Sequence, residues 1–270
     1  MTEELPLPDR DAPFEDHLAW ARATPADVAP DLVARRCTTS STRWDYADVA
    51  ADAVRYATGP VLDLGTGTGD LFSTLAPFPE GSAATEAWHP HLALARRRLE
   101  PLGVEVRPVG PGVDDGLMLP FLSARFSVVL DRHEAFDPDE VARVLAPGGT
   151  FVTEQVDSRD GIRINTALGA PLPWGPDDVT LEGVVADVES AGLVVDDVDE
   201  HDGTRTFRDL ATFCWYLRAA PWQVPALADL SPAGVARFEA PLRALHLHFA
   251  SGRDFVDEAP RFVVRAHRRG

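Results

Sequence analysis

Val61-Leu62-Asp63-Leu64-Gly65-Thr66-Gly67-Thr68-Gly69-Asp70 sets three glycines at alternate positions directly after a short apolar run. Val61 to Leu64 reads as a strand, and Asp70 to Leu75 as the helix that follows it. A glycine-rich turn between the two lets backbone approach a ligand at the carboxyl ends of parallel strands. The spacing is Gly-x-Gly-x-Gly. A dinucleotide site would prefer Gly-x-Gly-x-x-Gly, whose third glycine makes room for helix packing and whose helix start faces a pyrophosphate. Position 70 is an aspartate, which opposes a pyrophosphate and favours a cationic ligand. That tilts the reading away from NAD.

Working outward, strands and helices alternate. Ser82 to Ala87 predicts a second strand and His91 to Leu99 a helix. Val104 to Val109 predicts a third strand. Phe126 to Leu130 is apolar almost throughout, as a strand buried on both faces should be. Pro138 to Leu145 predicts a helix stopped by Pro147-Gly148-Gly149, and Thr150 to Val156 a fifth strand. Leu181 to Ala191 is helical, Leu193 to Val198 is strand-like, and Arg261 to Ala266 closes the series. Such alternation predicts an α/β fold with a doubly wound, seven-stranded, mostly parallel sheet. Before it, Phe14, Leu18 and Ala21, then Val28, Leu32 and Val33, then Trp44, Ala47, Val49, Ala51 and Val54 mark three helices. Helical stretches at Phe207–Ala219 and Pro232–Phe249 interrupt the rhythm before the last strand. The expected domains are a tail and helical cap (1–58), a cofactor-binding core (59–200), a helical lid (201–252) and the last core strand (253–270).

Composition narrows the function. A formal charge of −18 over 270 residues would repel a polyanion, so no nucleic-acid partner is expected. The short clusters Arg96-Arg97-Arg98 and Arg265 to Arg269 read as a solvated helix and tail. There is no lysine, which excludes lysine Schiff-base chemistry. The two cysteines, Cys37 and Cys214, stand far apart, so neither a disulfide framework nor a cysteine zinc cluster is expected. His89/His91 and His246/His248 are two apart, on different helix faces, and no metal is expected. No apolar run of about 18 residues spans a membrane. The acidic, proline-broken start resembles no targeting peptide, and a cytoplasmic monomer or homodimer is expected.

Two further carboxylates fall at strand ends. Glu86 ends the second strand, 17 residues after Gly69, where an acid accepts ribose hydroxyls. Asp115 follows the third, close to where an adenine amino group would lie. With these in place, Val61–Asp70 resembles the first motif of the class I S-adenosylmethionine-dependent methyltransferases, a strand ending in Asp-x-Gly-x-Gly-x-Gly. Leu119-Pro120-Phe121 with Arg125–Leu130 is similar to the approach to that family's fourth strand. Arg143–Val152 is similar to its Leu-x-Pro-Gly-Gly turn into the fifth. Arg132–Phe136 and Tyr216–Pro225 resemble segments of bacterial members.

The resemblance implies a Rossmann-like methyltransferase core with S-adenosylmethionine as cofactor. It implies that Asp63 orients the loop and approaches the methionine ammonium, with Gly65, Thr66, Gly67 and Gly69 beneath the cofactor. Glu86 would take the ribose hydroxyls, Ala87 or Trp88 the adenine, and Asp115 its amino group, with Asp131 and Arg132 beside the sulfonium. His133 is then a general base, or alternatively a histidine that fixes the loop. Glu134 holds an amine or orients His133. Asp131-Arg132-His133-Glu134 replaces the Asn/Asp-Pro-Pro-Tyr/Phe of base-methylating relatives, so stacking of a flipped base is not supported. Phe213, Tyr216 and Trp222 are placed to roof a pocket or to fill a core, with Trp44 and Tyr46 on its other side. The expected reaction is methyl transfer to oxygen or nitrogen of a small molecule such as a secondary metabolite. The alternatives are a protein or RNA methyltransferase, a non-catalytic cofactor-binding protein and a nicotinamide oxidoreductase.

Overall fold

The computed structural model describes residues 6–26, 31–110, 118–175 and 177–270. The chain begins with α1 (Phe14–Ala23), α2 (Asp31–Arg36), β1 (Cys37–Thr39), α3 (Tyr46–Arg55), β2 (Val61–Leu64), α4 (Asp70–Ser73) and β3 (Ala83–Glu86). Then follow α5 (His89–Leu99), β4 (Glu105–Pro108), β5 (Phe126–Arg132), α6 (Pro138–Val144), β6 (Leu145–Val156) and α7 (Ile162–Leu168). It ends with α8 (Leu181–Ser190), β7 (Leu193–His201), β8 (Thr204–Phe207), α9 (Leu210–Ala219), α10 (Pro232–Arg237), α11 (Glu239–Ala250), β9 (Phe255–Glu258) and β10 (Arg261–Arg268).

These elements gather into two compact units. The larger holds α3, α4, α5, α6, α8 and a seven-stranded sheet in the order β4-β3-β2-β5-β6-β10-β7. Strands β2 to β6 run parallel, and β10 lies antiparallel between β6 and β7. This is the doubly wound, mostly parallel architecture that the alternation predicts. The central strands β2 and β5 are mainly apolar because both faces are covered: Val61, Leu62, Val129 and Leu130 are fully buried. Val49, Ala50 and Val54 of α3 share one core cluster with Leu92, Ala95 and Leu99 of α5. Val141 and Val144 of α6 share another with Val188 of α8. Local chemistry starts the helices where it should. Asp45 accepts the Ala47 N–H at 2.8 Å before α3, and Asp137 accepts those of Asp139 and Glu140 before Pro138 opens α6.

The second unit holds α1, α2, α7, α9, α10, α11 and a small antiparallel sheet, β1-β8-β9. Its core is aromatic: Phe207, Phe213 and Phe249 are wholly buried. Inside it the Arg205 guanidinium lies 3.1 Å from Asp160, 3.3 Å from Asp257 and 4.3 Å above the Tyr216 ring.

Several elements depart from expectation. The three strands of the small sheet were not anticipated; each has three or four residues, too few to show a period of two. Phe207 belongs to one of them, and α9 starts later, where Asp209 accepts the Thr212 N–H at 2.8 Å. The single helix expected over Pro232–Phe249 is two, α10 ending at Arg237. Pro241 cannot continue a helix past the carbonyl four residues earlier, which is that of Arg237, but it fits the first turn of a new one. The units also divide the chain differently from the expected domains: α3 belongs with the sheet, α7 with the helical unit, and the segment from 253 contains β9 as well as β10.

The glycine turn separates two requirements. Gly67 has φ +61°, and a Cβ there would meet nothing within 4 Å; Gly69 has φ +77°, and its Cβ would come within 2.9 Å of the Leu99 side chain on α5. Gly67→Ala therefore costs only the left-handed backbone, about 1–2 kcal/mol. Gly69→Ala adds overpacking of about 1–3 kcal/mol. Urea denaturation should rank Gly69→Ala clearly below Gly67→Ala; equal losses would contradict the packing role of Gly69.

Candidate active site

The sheet winds one way from β2 through β3 to β4 and then restarts at β5, on the other side of β2. The crevice outside the carboxyl ends of β2 and β5 is thus the switch point where such sheets bind ligands. Register fixes what meets there. Leu64 pairs with Asp131, Asp131 with Thr153, and Arg132 with Glu154. The turn after β2 is pinned to β3: the Gly65 N–H donates to Thr85 Oγ1 at 3.2 Å and the Thr66 N–H to the Thr85 carbonyl at 2.9 Å. Gly65 (φ +57°) also serves a close approach. A Cβ there would stand 2.6 Å from Cγ of Glu134, whose side chain lies over the glycine.

Four carboxylates crowd this end of the sheet. Burial pushes Asp63 up to about 7, with Glu86 adding to the shift. Asp131 is fully buried, and burial, then Glu134 and Asp63, hold its carboxyl well above the usual range. Its Oδ2 accepts from Thr153 Oγ1 at 2.5 Å and Gln155 Nε2 at 2.6 Å, while its buried Oδ1 has no partner among the described residues. Glu134 is raised by burial and by Glu86. Glu86 Oε1 accepts the Trp88 N–H at 2.7 Å. Tyr46 is buried beside this group; burial, then Asp63, Asp131 and Glu154, raise its phenol.

A fifth carboxylate behaves oppositely. Burial works against ionisation of Glu154, yet hydrogen bonds from His133, Trp44 and Arg132 draw it down to about 2. Trp44 Nε1 donates to Oε2 at 2.7 Å, and Arg132 Nε to Oε1 at 3.0 Å. His133 Nε2 stands 3.1 Å from the same Oε1. The Arg132 guanidinium also lies 5.7 Å from the Tyr46 ring centre.

Beside the turn, a cavity of about 130 Å³ is walled by Leu64, Ala87, Val109, Leu119, Phe136 and the Glu134 carboxylate. Its lining is mainly apolar, with Thr85, Glu134 and Asp137 as the polar residues, a combination that suits a flat ring carrying polar edges.

The sheet unit thus gathers Asp63, Gly65, Thr66, Gly67, Glu86, Asp131, Arg132, His133 and Glu134, with Trp44 and Tyr46, around the carboxyl ends of its strands. Gly69 instead serves helix packing. Trp88 is 59% exposed and edge-on to His91 at 4.3 Å, away from the cavity wall formed by Ala87. Asp115 lies outside the described residues. Phe213, Tyr216 and Trp222 belong to the helical unit. Phe213 is enclosed there by Phe207 and Phe255 at 5.2 and 5.5 Å, so it is core and not pocket lining; Tyr216 packs under Arg205, and Trp222 is about half exposed. Sequence reading missed Thr153, Glu154 and Gln155. Their signal is a run of three polar residues directly after the apolar pair Phe151-Val152, all buried. Among the described residues no cluster of histidine, cysteine and carboxylates is arranged to hold a metal ion.

This architecture is the class I methyltransferase fold. Among solved structures the chain superposes on a candidate methyltransferase of Bacillus halodurans with TM-score 0.56 and 18% identity, over 82% of this chain and 98% of that one. It also superposes on the (4+2) cyclase SpnF with TM-score 0.52 and 17% identity, over 99% of each chain. The same fold therefore serves different chemistries. In sequence, 111 residues are 39% identical to demethylmenaquinone methyltransferase of Thermus thermophilus, covering 37% of this chain and 48% of that enzyme. The chain spans about half the length of the curated relative it matches. No protein-family model matches it.

Proposed function

We propose that the protein is a class I S-adenosylmethionine-dependent methyltransferase acting on oxygen or nitrogen of a small molecule. One observation carries the reading: Asp63, Glu86, Asp131 and Glu134 gather near the carboxyl ends of β2, β3 and β5, with Glu134 against Gly65 of the glycine turn, and one of their buried oxygens, Asp131 Oδ1, has no partner among the described residues. Such a lining is costly in an empty site and favourable around a fixed positive charge. When bound, the cofactor supplies an electrophilic methyl group on a sulfonium.

In this reading the chain's own residues divide the work. Glu86, with one oxygen fixed by the Trp88 N–H, offers the other to ribose hydroxyls. The mainly apolar cavity beside Ala87 takes the adenine ring, and Gly67, open on its free side, leaves room for the remainder. Asp63 and Asp131 favour the cation. Glu134, on the cavity wall, belongs to the cofactor side, which leaves His133 as the base that removes the acceptor's proton. A small acceptor is favoured over nucleic acid by the charge of −18.

The titration of Asp63 gives a sign. In the free protein its carboxyl is half protonated at a pH of about 7, and a cationic ligand binds the ionised form. Binding must therefore release a proton below that pH and weaken as the solution is acidified. Calorimetry with S-adenosylmethionine should show affinity rising by about tenfold or more from a pH of ~5.5 to ~7, with a shallower slope in Asp63→Asn and the remainder carried by Asp131 and Glu134, whose carboxyls are also raised. A flat profile in the wild type would sink this role for Asp63. Transfer itself is tested with cofactor labelled in its methyl group against a panel of small phenols and amines. Label should appear in at least one product and fall at least about 100-fold in His133→Ala; label that stays on the cofactor throughout the panel argues against the proposed reaction.

A further inference from the structure

We propose that Glu154 is a positioning residue that holds His133 in the tautomer protonated at Nε2, leaving Nδ1 as the nitrogen that accepts the substrate's proton. The proposal rests on the methyltransferase reading for the use of that nitrogen, but not for the tautomer itself.

His133 is tied to Glu154 twice. Its backbone N–H donates to the Glu154 carbonyl at 2.8 Å, and its Nε2 stands 3.1 Å from Glu154 Oε1. To make both contacts the histidine takes φ +62°, a left-handed conformation that residues other than glycine rarely adopt. Strain of this kind persists where surrounding contacts over-determine it, and it clusters at functional sites. The two strands supply the reason for the placement: Arg132 and Glu154 are register partners, so the residue after Arg132 turns back over Glu154.

Glu154 is also committed as an acceptor. Trp44 and Arg132 donate to its two oxygens, and neither donor can reverse its role. An ionised carboxylate accepts only, so His133 Nε2 must carry the hydrogen between them. A neutral imidazole then has its lone pair on Nδ1, for which no hydrogen bond is found among the described residues. In the proposed step the acceptor's O–H or N–H bond breaks and its proton goes to Nδ1. The acceptor's electron pair forms the new bond to the methyl carbon, and the pair of the broken C–S bond returns to sulfur. The imidazolium so formed lies against the Glu154 carboxylate, which stabilises it as it appears. Glu154 itself does not take the proton.

The test is the ¹⁵N spectrum of the imidazole rings, recorded at alkaline pH where they are neutral, with the His133 signals assigned by their loss in His133→Gln. The wild type should show His133 with a protonated Nε2 and an unprotonated Nδ1. Glu154→Gln should abolish that preference, because one amide oxygen cannot serve three donors and the amide NH₂ adds a fourth. Trp44→Phe, which removes only the donor to Oε2, should keep it. A wild-type ring protonated at Nδ1, an unbiased mixture, or an unchanged tautomer in Glu154→Gln would overturn the proposal; the wild-type spectrum decides even if Glu154→Gln does not fold. S-adenosylhomocysteine titrated into the wild type separates the two readings. Binding without the tautomer leaves the methyltransferase standing and removes Glu154 from it. The tautomer without binding keeps the positioning and removes the methyltransferase.

Discussion

The pairing of β2 with β5 at the point where the sheet reverses direction is the constraint on which the site depends. It brings the end of the glycine-turn strand against Asp131 and, through β6, against Glu154. Neither carboxylate could be buried there without the other elements. Asp131 is fixed by Thr153 and Gln155 from β6, and Glu154 is held from two sides by Trp44 and by the turn that follows β5. The backbone ladder places the groups, and the side-chain hydrogen bonds decide which of them carry charge.

That decision divides the acids into two kinds. Glu154 has three donors and stays ionised although buried, because charge-assisted hydrogen bonds outweigh its desolvation. Asp63 lies beside Glu86, and Asp131 beside Glu134 and Asp63, and burial moves both upward. A buried carboxylate whose oxygen lacks a donor is costly in the free protein, and a permanently charged ligand relieves that cost. In the proposed function the same acids select the ligand. A pyrophosphate would find the turn hostile, whereas a sulfonium or an ammonium would find it complementary.

Much of this was legible in the chain itself. The run Val61–Leu64 followed by alternate glycines announces a strand, a ligand-facing turn and a helix, and Phe126–Leu130 announces a strand buried on both faces. Asp63, Glu86 and Asp131 are legible because they sit at strand ends, where side chains turn from the core toward the crevice. Glu154 and Gln155 were hidden because they lie within a strand, and only the register of β5 against β6 reveals what they face. The left-handed turn at His133 was hidden for a related reason: it is imposed by long-range contacts, against the local preference of the residue. The small sheet joins three segments of three or four residues, two of them more than 150 positions from the first, and no local pattern encodes that pairing. Phe213 shows the converse limit, since an aromatic residue on a helix reads alike whether it faces a pocket or a core.

The central claim is that the glycine turn and its ring of acids bind an S-adenosyl cofactor in preference to a dinucleotide. The direct measurement is calorimetric titration of the protein with S-adenosylhomocysteine and, in parallel, with NAD. One-to-one binding of the first alone, abolished in Gly67→Arg where a long cation would fill the open side of the turn, is the predicted result. Binding of NAD with no heat from S-adenosylhomocysteine would contradict the account.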